Sequence, residues 1–429
     1  MNRHIINDLY NWKNKKRRKP LILRGARQVG KTWLMTAFAK QAFEKHIYIN
    51  FENNEQLKNL FVKDFDIKRI LLDIYLATGV RPSEDTLLLF DEIQEAPRGV
   101  TALKYFYEQM PQQPVIAAGS LLGISMHTND SFPVGKVDFL TVYPLSFFEF
   151  MEAVGEVRFV ELLQQKNWEQ LSPFTSHIED ILRHYYYVGG MPEVVANYAE
   201  DRDPIEVREL QKDILDAYDR DFSKHAPVNE VPRLRMIWNS IIGQLSKENK
   251  KFIYGFIKEG ARAKDFEIAL EWLQDAGLVY KVHRAKKAAI PLTAYQDFSA
   301  FKLFMLDVGL LGAMGNLSSK TLIDGNSIFT DFKGAMTEQY VLQQLKLKKN
   351  SSIFYWSAEN SSGEIDFLVQ SNDSIYPIEV KSEENLQSKS LRAFVQKNSY
   401  LHGLRFSMSG YREQDWMTNY PLYSLDSLF

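Results

Sequence analysis

The sequence predicts an α/β chain: a parallel sheet of the P-loop NTPase kind, then a helical and winged-helix region, then a second α/β domain at the C-terminal end. Three observations predict it. A phosphate-binding pattern, G-x-x-x-x-G-K-[ST], is met by Gly25, Gly30, Lys31 and Thr32. A continuous apolar run from Thr86 ends in the acids Asp91 and Glu92. Late in the chain, two strand-like segments carry Asp366, Glu379 and Lys381 at spacings that bring them to one face.

Size and composition bound the rest. At 429 residues the chain exceeds one ordinary core, and two to four domains are expected. We divide it into a P-loop core over 1–150, a helical lid region over 151–228, a winged-helix domain over 229–325 and a C-terminal domain over 326–429. Hydrophobic residues at 45% and charged residues at 25% describe a globular chain. The formal charge of −2 excludes a uniformly basic surface, so any DNA or RNA contact must come from local patches. Cysteine is absent, which removes disulfides, thiolate zinc sites and cysteine nucleophiles. No apolar run has the length of a membrane span and the N-terminus lacks a signal-peptide pattern, so no membrane partner and a cytoplasmic location are expected.

The first twenty residues offer a short amphipathic helix with Ile5, Ile6, Leu9, Tyr10 and Trp12, then the basic run Lys13 to Lys19, read as a solvated helix end. Leu21 to Leu23 ends a buried strand, and Trp33 to Ala42 has helical apolar spacing. A nucleotide's phosphates would then sit at a helix N-terminus, where unpaired N–H groups and the helix dipole favour anions. The candidate nucleotide contacts are Gly25, Ala26, Arg27, Gln28, Val29, Gly30, Lys31, Thr32 and Trp33. Lys31 would bridge the β- and γ-phosphates and Thr32 would ligate Mg²⁺. Ile47 to Phe51 reads as a second strand, with helical material following to about Gly79.

The run Thr86 to Phe90 suits a strand covered on both faces, and ligands bind beyond the carboxyl ends of such strands. Asp91 is expected to hold Mg²⁺ and Glu92 to polarise the attacking water of NTP hydrolysis. Val115 to Ala118, another buried strand, delivers Ser120 to the same edge as a γ-phosphate sensor or a plain turn serine. Phe132 to Phe150 supplies a last strand and an aromatic turn, with Lys136 near where a second cation might reach the phosphates.

Five segments now carry a resemblance: Gly-Ala-Arg-Gln-Val-Gly-Lys-Thr at 25–32, Asp-Glu-Ile-Gln at 91–94, Gly-Ser-Leu-Leu at 119–122, Tyr-Pro-Leu-Ser-Phe at 143–147 and Gly-Gly-Met-Pro-Glu at 189–193. Together they resemble a prokaryotic AAA-type ATPase family in which the ATPase is joined to a winged-helix segment and a C-terminal domain of unknown function. The resemblance covers nearly the whole chain. It departs at Gly135-Lys136, where the family usually has Gly-Arg; lysine lacks arginine's fork, so an arginine role does not transfer there.

Residues 151–228 read as helical, with Arg220 beside Asp216 and Asp221, either a phosphate contact or, more simply, a local ion pair. In the winged-helix stretch, Leu234 to Leu245 and Ala263 to Ala276 are helices, Gly277 stops the second, and Val279 to His283 begins a small hairpin. The second helix carries Asp265, Glu267, Glu271 and Asp275 against Lys264, a poor face for a DNA groove, so an intramolecular lid or docking element is expected.

The C-terminal domain holds the second constellation. Phe332 to Lys348 is a helix bearing Glu338, Ile353 to Ser357 a strand, Ser361 to Gly363 a turn, and Asp366, Glu379 and Lys381 follow on neighbouring strands. This set resembles the PD-(D/E)XK motif of restriction-endonuclease-like domains. The resemblance implies a second Mg²⁺ or Mn²⁺ on Asp366 and Glu379, with Lys381 activating water for phosphodiester hydrolysis. Glu338 is a further candidate ligand, and Gln396 with Tyr400 resembles the Q-x-x-x-Y element of some such nucleases. The chain is thus expected to be an Mg²⁺-dependent ATPase coupled to a nuclease-like domain acting on DNA or RNA. The alternative is an NTP-driven switch whose C-terminal domain docks a protein partner. An oligomer is compatible with either.

Overall fold

The structure, a computed structural model, describes residues 2–120, 133, 135–322, 330–358, 363–382 and 387–428. Leu121-Leu122 of the third family segment, Phe132, Asn326 and Ser361-Ser362 lie outside the described residues. The chain separates into two compact units, one of Arg3–Tyr143 with Asp275–Leu278 and one of Pro144–Gln274 and Val279–Phe429 with Met1–Asn2.

The first unit contains, in chain order, α1 (Ile6–Lys13), β1 (Leu21–Arg24), α2 (Lys31–Ala42), β2 (Lys45–Asn50), α3 (Ile67–Thr78), β3 (Thr86–Asp91), α4 (Gly99–Gln109), β4 (Val115–Ala118) and β5 (Asp138–Thr141). The five strands form a parallel sheet in the order β2-β3-β4-β1-β5. Every residue of β3 is buried, as its unbroken apolar run requires of a strand covered on both faces. Phe90, at its end, packs among Phe51, Phe61 and Phe106 with ring centroids 5.6, 6.0 and 5.8 Å away. Edge-on aromatic pairs of this kind add about 1 kcal/mol each beyond area burial, so the residue after Phe90 is held firmly in place.

The helix expected up to Gly79 is confined to α3. Asp66 caps it by accepting from the Lys68 backbone N–H at 3.0 Å, and Ile67, Ile70 and Ile74 form its buried stripe.

The second unit combines helices with a mixed sheet. Its longest helices are Pro204–His225, Thr330–Lys346, Val231–Leu245, Thr175–Val188 and Ala263–Asp275. The strands β6 (Val279–Ala285), β7 (Gln296–Met305), β8 (Ser351–Ser357), β9 (Glu364–Ser371), β10 (Ser374–Val380), β11 (Gly403–Ser407), β12 (Arg412–Gln414) and β13 (Met417–Pro421) are ordered β12-β13-β11-β10-β9-β8-β6-β7. The hairpin at Val279 is therefore not a small separate wing. It is longer than expected and joins the C-terminal strands through the Arg284–Tyr355 parallel pairing.

The Gly189-Gly190 pair is explained by packing. Gly190 N–H donates to Asp307 Oδ2 at 2.6 Å, and a Cβ on Gly189, at φ +75°, would lie 2.1 Å from Asp307 Oδ1. Asp307 is fully buried and also accepts from Leu310 N–H and Gln343 Nε2, each at 3.0 Å, capping the helix Val308–Met314. Among the described residues, no helix is long and apolar enough to cross a membrane.

Candidate functional site

Strand β1 hands the chain to α2 through Gly25–Gly30. Gly25 adopts φ +147°, and a Cβ there would stand 2.2 Å from the Val142 carbonyl oxygen, so only glycine fits. Gln28 and Gly30 also take positive φ, 65° and 85°, which winds the loop into the first turn of the helix. Lys31 is buried, and its Nζ donates to the carbonyls of Gly25 at 3.0 Å and Ala26 at 2.7 Å. Burial pulls its pKa down to about 8, against the opposing pull of Glu92 and Asp91. Trp33, by contrast, is exposed.

Across from this loop, β3 presents its acids. Thr32 Oγ1 donates to Asp91 Oδ2 at 2.8 Å, so two hard oxygen ligands meet where the sequence expects a metal. Burial raises the Asp91 pKa against the hydrogen bonds from Thr32 and Tyr48. Glu92 lies just past the strand with φ +47°, an uncommon conformation for a non-glycine residue. Its carboxylate accepts from Gln94 Nε2 at 2.6 Å and from Ser120 Oγ at 3.2 Å. Lys31, Thr32, Asp91, Glu92 and Ser120 thus converge from three elements.

Lys136 does not join them. Its ammonium pairs with Glu108 at 3.1 Å and lies over the Tyr107 ring, because α4 offers it an acid and an aromatic face. Sequence reasoning missed Tyr48, whose hydroxyl donates to Asp91 Oδ2 at 2.8 Å and whose own pKa is pushed to about 12 by burial and by Asp91. Its only sequence signal is position: it precedes Asn50, the β2 residue in register with Asp91, by one same-face step. Gly277 was likewise read only as a helix stop, yet it packs against Ala26 of the loop.

In the second unit, Arg220 bonds the Asp216 backbone carbonyl at 3.2 Å instead of pairing with the Asp216 carboxylate, while Asp219 takes a two-pronged bond from Arg235.

A cavity of about 490 Å³ opens at the end of β9 and β10, with Glu338, Asp366, Glu379 and Lys381 among its lining residues. Antiparallel pairing of Phe367 with Ile378 sets Asp366 beside the β10 acid, and Asp366 Oδ2 accepts from Val380 N–H at 2.7 Å. Burial, with Glu338 adding to it, pushes the Asp366 pKa to about 7. Glu379 Oε1 pairs with Lys381 at 3.2 Å, whereas its buried Oε2 has no hydrogen-bond partner.

Glu338, a candidate ligand, is already engaged. Lys250 and Lys302 both pair with it, at 2.7 and 3.3 Å, and Lys302 also pairs with Glu364. Burial raises the Glu338 pKa, but these lysines outweigh it and leave the carboxyl below its ordinary value. Nothing in the local sequence tied Lys250 or Lys302 to this cavity; both come from the preceding region of the chain. Gln396 and Tyr400 are not one turn apart on a helix, since that helix ends at Lys397 and Tyr400 instead bonds the Ala288 carbonyl. Among the described residues, no group of three or more His, Asp or Glu side chains is arranged to hold a metal ion.

Comparison with known proteins adds the following. Residues 17–151 match a family model described as an AAA domain. Residues 179–321 and 333–425 match two models each described as a domain of unknown function, DUF8612 and DUF4143. No curated protein matches the chain. Among solved structures, the Walker-type ATPase PABY2304 of Pyrococcus abyssi is 15% identical over 72% of this chain and 94% of that one, with a TM-score of 0.46. The Orc1 protein of Aeropyrum pernix, solved in complex with DNA, is 12% identical over 73% and 90% of the two chains, with a TM-score of 0.29. Cdc6p from Pyrobaculum aerophilum is 12% identical over 74% and 95%, with a TM-score of 0.27. The N-terminal part of the chain therefore has a parallel-sheet α/β fold of the P-loop NTPase kind, and the match to an AAA domain supports an ATPase.

Proposed function

We propose that the chain is an Mg²⁺-dependent ATPase whose nucleotide cycle governs a nuclease-like C-terminal cavity. The observation that carries the first half is the Thr32–Asp91 hydrogen bond beside Lys31. Thr32 and Asp91 would hold Mg²⁺, which when bound neutralises charge on the β- and γ-phosphates. The remaining work belongs to the chain. Backbone N–H groups from Gly25 to Thr32 bind the phosphates at the positive end of α2, and the Lys31 ammonium, on leaving the Gly25 and Ala26 carbonyls, adds a charge. Glu92 accepts a proton from the attacking water, with Ser120 and Gln94 fixing its carboxylate.

The experiment is ATP binding and turnover. Lys31→Ala loses binding, while Glu92→Gln binds and does not turn over. Ordinary hydrolysis in Glu92→Gln removes that residue from its role.

For the second half, the orphaned, buried Oε2 of Glu379 beside Asp366 supports a divalent-ion reading. Asp366 and Glu379 would hold Mg²⁺ or Mn²⁺, which when bound supplies a more acidic water. Lys381, paired with Glu379, would orient that water or meet a phosphodiester. The substrate class is nucleic acid, DNA or RNA, and the stretch 229–292 is read as an intramolecular lid or docking element. Incubation with Mn²⁺ and varied DNA and RNA tests this: cleavage lost in Asp366→Ala and kept in Lys31→Ala supports it. A second reading, a non-catalytic docking module, is favoured by the engagement of Glu338 by two lysines. Absence of cleavage of every substrate selects it.

A further inference from the structure

The acids around the C-terminal cavity are not equivalent. Strand β7 carries Lys302 with no solvent exposure, and an isolated antiparallel bridge between Lys251 and Lys302 brings Lys250 to the same end of the sheet. Lys302 Nζ pairs with Glu338 Oε2 at 3.3 Å and with Glu364 Oε1, while Lys250 Nζ takes Glu338 Oε1 at 2.7 Å. Both oxygens of Glu338 therefore face ammonium groups. A fully buried ammonium is retained only where paired charges replace its water shell, and Lys302 has that replacement in Glu338 and Glu364. Asp366 feels the charges of Lys302 and Lys250 across the cavity but makes no close ion pair with either, accepting instead from Val380 N–H, and Glu379 Oε2 is buried without a hydrogen-bond partner.

We propose that Lys302 is the resident cation of this carboxylate cluster, holding Glu338 and Glu364 in the place a divalent ion would otherwise fill. Exchanging it for a neutral side chain then creates a metal-binding position that the natural chain lacks. The inference deepens the divalent-ion reading of the cavity and rests on it for the chemistry of the carboxylates. Two consequences follow from the charges. Of the four acids Glu338, Glu364, Asp366 and Glu379, the last two are left to bind an ion in the natural chain, and a pair of carboxylates suits Mg²⁺ or Mn²⁺ that keeps several waters or phosphate oxygens. Removing the Lys302 charge leaves Glu338 and Glu364 facing a gap the width of one ammonium group, lined by hard oxygens.

Mn²⁺ binding to the full chain without nucleotide, followed by calorimetry and by the electron paramagnetic signal of free Mn²⁺, tests it. Lys302→Met, close in length and uncharged, is expected to bind one more ion per chain than the natural protein. An equal count in a Lys302→Met chain that keeps its near-UV circular dichroism overturns the proposal. Lys250→Met, at the cavity wall, frees one Glu338 oxygen and is expected to raise Mn²⁺ affinity about tenfold, as removal of a neighbouring like charge does. Unchanged affinity overturns the proposal even if Lys302→Met does not fold. Asp366→Asn separates the two readings. A natural chain with no Asp366-dependent ion removes the divalent-ion reading, while an ion gained by Lys302→Met still upholds the role of Lys302.

Discussion

Nucleotide affinity should fall as pH rises through the titration of Lys31. The side chain is buried under the loop it serves, and burial holds its pKa at about 8, well under the ordinary lysine value. Only the charged form grips phosphate. A bound triphosphate favours that form and raises the pKa, so binding takes up a proton in free protein that has lost one. Affinity is therefore full below about 8 and declines above it.

At pH 9, one unit above, about a tenth of the lysine is charged, which weakens binding about tenfold, or about 1.4 kcal/mol, relative to pH 7. The ligand adds little to this window, because the last phosphate ionisation has a pKa of about 6. The assay is titration of a fluorescent ATP analogue from pH 7 to 9.5 at constant ionic strength with chelator present, so that metal binding does not contribute. Lys31→Arg is the control: its guanidinium stays charged throughout and its curve should be flat, at whatever affinity the altered geometry leaves. A flat curve in the natural chain, or the same decline in Lys31→Arg, refutes the reasoning.

Glu92→Gln should keep nucleotide affinity within about twofold and lower turnover by a factor of about 10² or more, measured by phosphate release. Gly189→Ala should destabilise the second unit by about 2 kcal/mol or more, read from urea unfolding, because its Cβ would collide with Asp307 on a backbone at positive φ. Glu338→Gln should cost about 3 kcal/mol in the same assay, since it removes one of the two acids paired with the fully buried Lys302; a loss under about 1 kcal/mol would show that Glu364 alone suffices. Tyr48→Phe removes a hydrogen bond to Asp91 without changing shape, and should alter the Mg²⁺ dependence of turnover while leaving metal-free nucleotide binding unchanged.

The sequence by itself determined the parts of this protein that are local. The P-loop was legible because strand, glycine loop, lysine and helix follow one another within a dozen residues, and each has its own signature in residue type. The run before Asp91 was legible because a strand buried on both faces needs unbroken apolar side chains. Alternation along β9 and β10 likewise put Asp366, Glu379 and Lys381 on one cavity.

What only the tertiary structure decided are the partners that arrive from far along the chain. Tyr48 reaches Asp91 from 43 residues away, Lys302 reaches Glu338 from 36 and Lys250 from 88. Sequence spacing carries no record of such meetings, since they depend on strand order and on which edge the β6–β7 hairpin joins. The same reason explains Lys136, which sequence placed near the phosphates and which the fold gives to Glu108. A charge finds whichever opposite charge packing brings within reach, and packing is a property of the whole sheet, not of the segment that carries the charge.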